Sequence, residues 1–125
     1  MSLRHPLAIA RGLGSAKDGV GHWWVQRLTA VALLLLAPWF AWLVLGLIGA
    51  DHYSVRHTLA QPLNASLLLA FVLSLFWHAQ LGLQVVVEDY VHGWLEITLQ
   101  IAVKFACAFG ALASVIAIGR IAFTA

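Results

Sequence analysis

The chain holds one cysteine, Cys107, in 125 residues. One thiol makes no internal disulfide, no CxxC zinc pattern and no four-thiolate iron–sulfur set, so any cluster this protein works with belongs to another chain. Charge is scarce as well: seven Lys and Arg against five Asp and Glu make up only 10% of the sequence, well short of the ~25% of a soluble domain. The N-terminus lacks the short apolar core and small-residue cleavage site of a secretory signal, and the first apolar run is expected to stay in the mature protein. No nucleic-acid partner is expected.

What the sequence has instead is apolar length. Hydrophobic residues make up 62% of it, and a helix needs about 20 of them to cross a hydrocarbon core of roughly 30 Å. Three runs meet that length, near 27–49, 64–87 and 95–120, which predicts an all-α membrane protein with three transmembrane helices. Arg4, Arg11, Lys17 and Arg27 precede or open the first run, against Arg56 and Arg120 beyond it. This asymmetry predicts a cytoplasmic N-terminus and a periplasmic C-terminus. Too little chain lies outside the runs for a soluble catalytic domain, and so small a bundle supplies few neighbours for an intramembrane histidine. Partner subunits are therefore expected.

The first 26 residues read as a cytoplasmic segment, of which 1–21, with Gly12-Leu13-Gly14-Ser15 and a basic excess, read as irregular surface chain. Trp23 and Trp24 mark the membrane interface, and Pro38 predicts a kink in the first span. The connection Ala50 to Pro62, with Asp51, His52, Arg56 and His57, reads as a solvated loop whose histidines are surface residues. Ala102, Ala106, Gly110 and Ser114 recur every four residues and suggest a smooth face for helix packing. Lys104 lies about 15 Å along its helix from Trp94; a snorkelling lysine explains it at least as well as a partner for a cofactor carboxylate.

His78 is the leading functional candidate. An ionisable side chain deep in a span faces a partner, a cofactor or a cavity rather than lipid. Ser74, His78, Gly82, Val85 and Asp89 fall along one helical stripe. Gly82, one turn from the imidazole, leaves room for a flat macrocycle or for close approach of another helix. Imidazole ligates haem iron, and a buried b-type haem generally takes two axial ligands, so the second would come from another subunit or copy. Hydrogen bonding of His78 in a packed interface is the competing reading.

Asp89 and Tyr90 lie about 17 Å further along the helix, near the membrane surface and level with Arg27. A tyrosine hydroxyl can donate to a quinone carbonyl while a carboxylate held by an arginine orients it or relays protons. An interfacial Tyr anchor beside an Asp–Arg salt bridge is the plainer alternative.

With these residues in view, the chain resembles the hydrophobic, D-type membrane-anchor subunits of bacterial succinate dehydrogenase, respiratory complex II. The likeness runs through Arg11-Gly12-Leu13-Gly14-Ser15-Ala16-Lys17, His22 to Ala30 with Gln26-Arg27-Leu28-Thr29-Ala30, and His78-Ala79 through Asp89-Tyr90. The N-terminal stretch is most similar to the alphaproteobacterial branch. The resemblance implies a complex of flavoprotein, iron–sulfur subunit, cytochrome b anchor and this anchor in the bacterial inner membrane. FAD and the iron–sulfur clusters would be confined to the partners, and the two anchors would bundle around haem b. It implies His78 as an axial ligand of the haem iron, with the opposite ligand from the cytochrome b anchor. It also implies Tyr90, Asp89 and Arg27 at the ubiquinone site. His22, near a haem propionate or purely structural, and Glu88 and His92 carry no assigned role.

Three other readings stand beside this one. A quinol:fumarate reductase anchor shares the architecture and runs the chemistry in reverse. A purely structural anchor or assembly factor would leave His78 packed without a cofactor. A small transporter fits worst, because the sequence has no internal repeat and no polar stripe through the membrane.

Overall fold

A computed structural model describes residues 15–124. They form four helices: α1 (Ser15–Gly46), α2 (His52–Ala60), α3 (Pro62–Tyr90) and α4 (Trp94–Thr124). Three stretches are long and apolar enough to cross a membrane, Val20–Gly46, Pro62–Tyr90 and Trp94–Thr124, matching the three expected spans in number. At about 1.5 Å per residue each exceeds the ~30 Å hydrocarbon core, so the helix ends reach the interfaces.

The boundaries follow local chemistry. Residues 15–21, expected to be irregular, are helical; the rest of the expected surface segment lies outside the described residues. Glycines in a helix cost about 1 kcal/mol each, less than backbone groups left unpaired beside an apolar run. α1 continues through Pro38 to Gly46, and in the turn that follows Gly49 adopts φ +82°, a conformation that favours glycine.

The connection expected to be a loop contains α2, nine residues long. Asp51 caps it by accepting the Ser54 N–H at 3.2 Å, which satisfies one of the free donors of the first turn. Gln61 ends α2 and Pro62 opens α3 at its first position, where a missing N–H costs nothing. The Asn64 side-chain amide donates to the Thr58 carbonyl at 2.9 Å and ties the two helices together. Gly93, at φ +78°, makes the short turn into α4.

α3 is the central helix. It packs against α1 on one side and α4 on the other, and α2 leans on α3 and α4. Among the described residues, the buried apolar side chains are Ala65, Leu68, Phe71, Leu81 and Val87 of α3 and Leu43 of α1. Phe40 of α1 stacks on Phe71 with ring centroids 4.6 Å apart. Where α4 meets α3, a Cβ on Gly110 would lie 2.5 Å from a Phe76 ring carbon, so only glycine admits that ring. The small-residue stripe is not one packing face, however: Gly110 and Ser114 are half-buried while Ala102 and Ala106 are exposed. A four-residue step overshoots the 3.6-residue turn by about 40°, so such a stripe winds around the helix.

Candidate functional site

The site is built where α1 meets α3. His78 is half-buried, and its Nδ1 lies 3.1 Å from the Thr29 hydroxyl on α1. The Thr29 hydroxyl also lies 2.8 Å from the Val25 carbonyl and 3.1 Å from the Gln26 carbonyl, and donates to them, the usual back-bond of a threonine inside a helix. A hydroxyl has one proton. With that proton spent on its own helix, Thr29 meets Nδ1 as an acceptor. In that arrangement Nδ1 carries the ring proton and Nε2 keeps its lone pair.

One turn towards the turn that joins α3 to α4, Gly82 faces Gln26: a Cβ there would lie 4.0 Å from the Gln26 amide nitrogen. The Gln26 side chain of α1 thus borders Gly82 at ordinary contact distance. Gln26 Oε1 and His22 Nε2 are both buried without a hydrogen-bond partner. His22, Gln26 and Thr29 share one face of α1, at i, i+4 and i+7. Together with His78 they form a polar seam inside two apolar helices.

A second polar row runs along another face of α3. Gln80 donates to Gln84 at 3.2 Å, Gln84 donates to Glu88 at 3.0 Å, and Gln100 of α4 donates to the Gln84 carbonyl at 3.0 Å. Glu88 is the surface end of this ladder. Lys104 is exposed and lines an open cleft of about 260 Å³ with Trp77, Gln80 and Cys107.

Tyr90 is the last residue of α3 and is 81% exposed. Asp89, Arg27 and His92 are exposed as well. Arg27 sits over the Trp23 ring, its guanidinium carbon 5.5 Å from the centroid, a cation–π contact at the interface. Among the described residues Arg27 and Asp89 form no ion pair and the Tyr90 hydroxyl makes no hydrogen bond, so these three side chains are unengaged with one another within this chain. The loop histidines are surface residues: His52 and His57 are exposed, and the His57 ring stacks on Tyr53 at 6.0 Å. No group of three His, Cys, Asp or Glu suited to a metal ion occurs among the described residues.

Thr29 and Gln26 were the functional neighbours that sequence reasoning missed. The available signal was their position: polar side chains in a span, on the helical face of His22.

Three membrane-length helices among the described residues, with His78 hydrogen-bonded between two of them, define a multi-pass membrane protein. The family profile described as "Succinate dehydrogenase/Fumarate reductase transmembrane subunit" matches residues 1–118, and the chain belongs to that family. It is 37% identical over 116 residues to the succinate dehydrogenase hydrophobic membrane anchor subunit of Rickettsia bellii, covering 92% of this chain and 93% of that one. The protein of the same name from Paracoccus denitrificans is 32% identical over 105 residues, 84% of this chain and 79% of the relative. The succinate dehydrogenase membrane anchor subunit of Reclinomonas americana is 37% identical over 83 residues, 62% and 67% of the two chains. No solved structure matches the chain significantly. The resemblance read from the sequence is thereby borne out.

Proposed function

We propose that the chain is the membrane anchor of a succinate:ubiquinone oxidoreductase, that His78 supplies one axial ligand of a b-type haem, and that Tyr90, Asp89 and Arg27 form its share of the ubiquinone site. The observation that carries this reading is the Thr29–His78 contact. An imidazole inside a span, protonated at Nδ1 towards a fixed acceptor, presents the lone pair of Nε2, the arrangement in which histidine binds iron. The residues therefore fit the group. A second ligand would come from the cytochrome b anchor. When bound, the haem supplies a one-electron redox centre within the membrane.

Succinate oxidation and the iron–sulfur relay belong to the partner subunits, where the FAD and clusters reside. Ubiquinone takes two electrons from that relay and two protons from the cytoplasmic side. The Tyr90 hydroxyl donates to a quinone carbonyl oxygen, while Asp89 and Arg27 orient it and hold charge at the surface. The exposure of all three suits a pocket closed by the iron–sulfur and cytochrome b subunits. A site at the interface lets quinone enter from lipid and protons from water, so little charge crosses the bilayer. The chain works in the bacterial inner membrane, N-terminus cytoplasmic and C-terminus periplasmic, in the tricarboxylic acid cycle and aerobic respiration. It catalyses nothing alone.

The Thr29 contact also satisfies half of the imidazole in a cofactor-free interface, and one measurement separates the readings. A dithionite-reduced minus oxidised spectrum of the intact complex that copurifies with this chain is expected to show a b-type haem. An intact multi-subunit complex without haem returns His78 to packing.

A further inference from the structure

We infer that Thr29 is a positioning residue for the haem ligand. It fixes the tautomer and ring orientation of His78 and so sets the strength of its bond to iron. The inference rests on the proposed ligation and adds the device that makes the histidine competent for it.

Three observations carry it. The hydroxyl lies 3.1 Å from Nδ1, and its proton is committed to the Val25 carbonyl at 2.8 Å with the Gln26 carbonyl at 3.1 Å. With its proton on those carbonyls, the hydroxyl accepts from the ring. In a neutral imidazole one nitrogen holds the proton and the other the lone pair; free in an apolar span, both tautomers are available, and the form with the proton on Nε2 cannot ligate through that atom. Accepting from Nδ1–H selects the competent form before the iron arrives. It also draws the Nδ1 proton outward, which raises the basicity of Nε2 and favours the more electron-poor ferric ion.

The helix contact that holds this geometry is also identifiable. Gln26 precedes Thr29 by three residues and Gly82 follows His78 by four, so the Gln26–Gly82 approach lies next to the hydrogen bond on two helices running in opposite directions. Gly82 presents no side chain of its own to Gln26 at this approach.

The test uses the complete complex purified from cells. Thr29→Val keeps the shape and removes the hydroxyl; Thr29→Ala removes it without any bulk that could clash; Thr29→Ser keeps it. Haem per complex and the haem midpoint potential are read for each, with His78→Ala alongside. Thr29→Val and Thr29→Ala are both expected to weaken haem retention about tenfold, the usual effect of losing a partner of a ligating histidine. Both are also expected to raise the potential, and Thr29→Ser to restore both quantities. If His78→Ala strips the haem while Thr29→Val and Thr29→Ala match the wild type, the Thr29 role is overturned and the ligation stands. Should His78→Ala keep its haem, the ligation itself fails, and the Thr29 role with it.

Discussion

The two halves of the α1–α3 packing differ in what they bury. Towards α2 the contact is apolar: Phe40 stacks on Phe71, Leu43 and Leu68 are buried, and the adjoining cavity of about 580 Å³ has Ser114 as its only polar lining residue. Towards the α3–α4 turn the same two helices bury the edges of His22 and Gln26 and join Thr29 to His78. The apolar half demonstrates that these helices can pack on shape alone. In lipid, hydrogen bonds between helices are worth only about 0.6 kcal/mol on average, too little to make a polar seam a requirement of packing. The polar half therefore points to function.

The contrast breaks most completely at His78. In the proposed site His78→Ala removes an axial ligand and is expected to abolish the b-type signal in the reduced-minus-oxidised spectrum of the purified complex. A comparable cut in the apolar half, Phe71→Ala, is expected to leave the spectrum in place and lower only thermal stability. Loss of haem in both variants would mean that the two halves act as one structural unit.

Tyr90→Phe sharpens the contrast at the surface end of α3. The side chain is 81% exposed, so losing its hydroxyl disturbs no packing. A hydrogen bond of ~1 kcal/mol to the quinone corresponds to a several-fold fall in quinone reduction. Turnover should fall by that factor while subunit content and haem stay constant. Unchanged turnover would remove Tyr90 from the site.

Gly110→Leu tests the other side of α3. The Phe76 ring fills the space a side chain would need, and overpacking of this kind costs about 1–3 kcal/mol. A lower melting temperature in detergent is expected, with the potential of any retained haem unaltered, because the change lies across α3 from Thr29.

Length and composition made the three spans legible, since the thickness of a bilayer is a one-dimensional constraint that twenty apolar residues satisfy without reference to the rest of the fold. His78 was legible for the related reason that an ionisable group in such a run is conspicuous. Its partner was not: Thr29 is 49 positions away, and only the register of α1 against α3 brings them together. Gly82 was seen as a gap, and that Gln26 borders it is again a matter of register. α2 was hidden because nine polar-rich residues have the composition of a loop. Its cap at Asp51 and its support from α3 and α4 make it a helix.

The smallest effect is expected at Asp51, the N-cap of α2. Hydrogen bonds from Ser54 hold its carboxyl below the ordinary carboxylate range. A lowered value in the folded chain means that the ionised form favours α2; this support is complete above the unfolded value of about 3.9 and is lost as pH falls through the lowered one. Hydrogen exchange followed by mass spectrometry should find the α2 amides opening more readily as the solution is acidified below pH 4. Asp51→Asn keeps an accepting oxygen and should remove that pH dependence, whereas Asp51→Ala should leave α2 more open at every pH. Because α2 leans on α3 and α4, at the end of the bundle away from His78, neither variant should move the haem spectrum. A spectral shift in Asp51→Ala would show that the apolar end sets the geometry of the Thr29–His78 contact, and that the polar seam depends on a helix lying at the far end of the bundle.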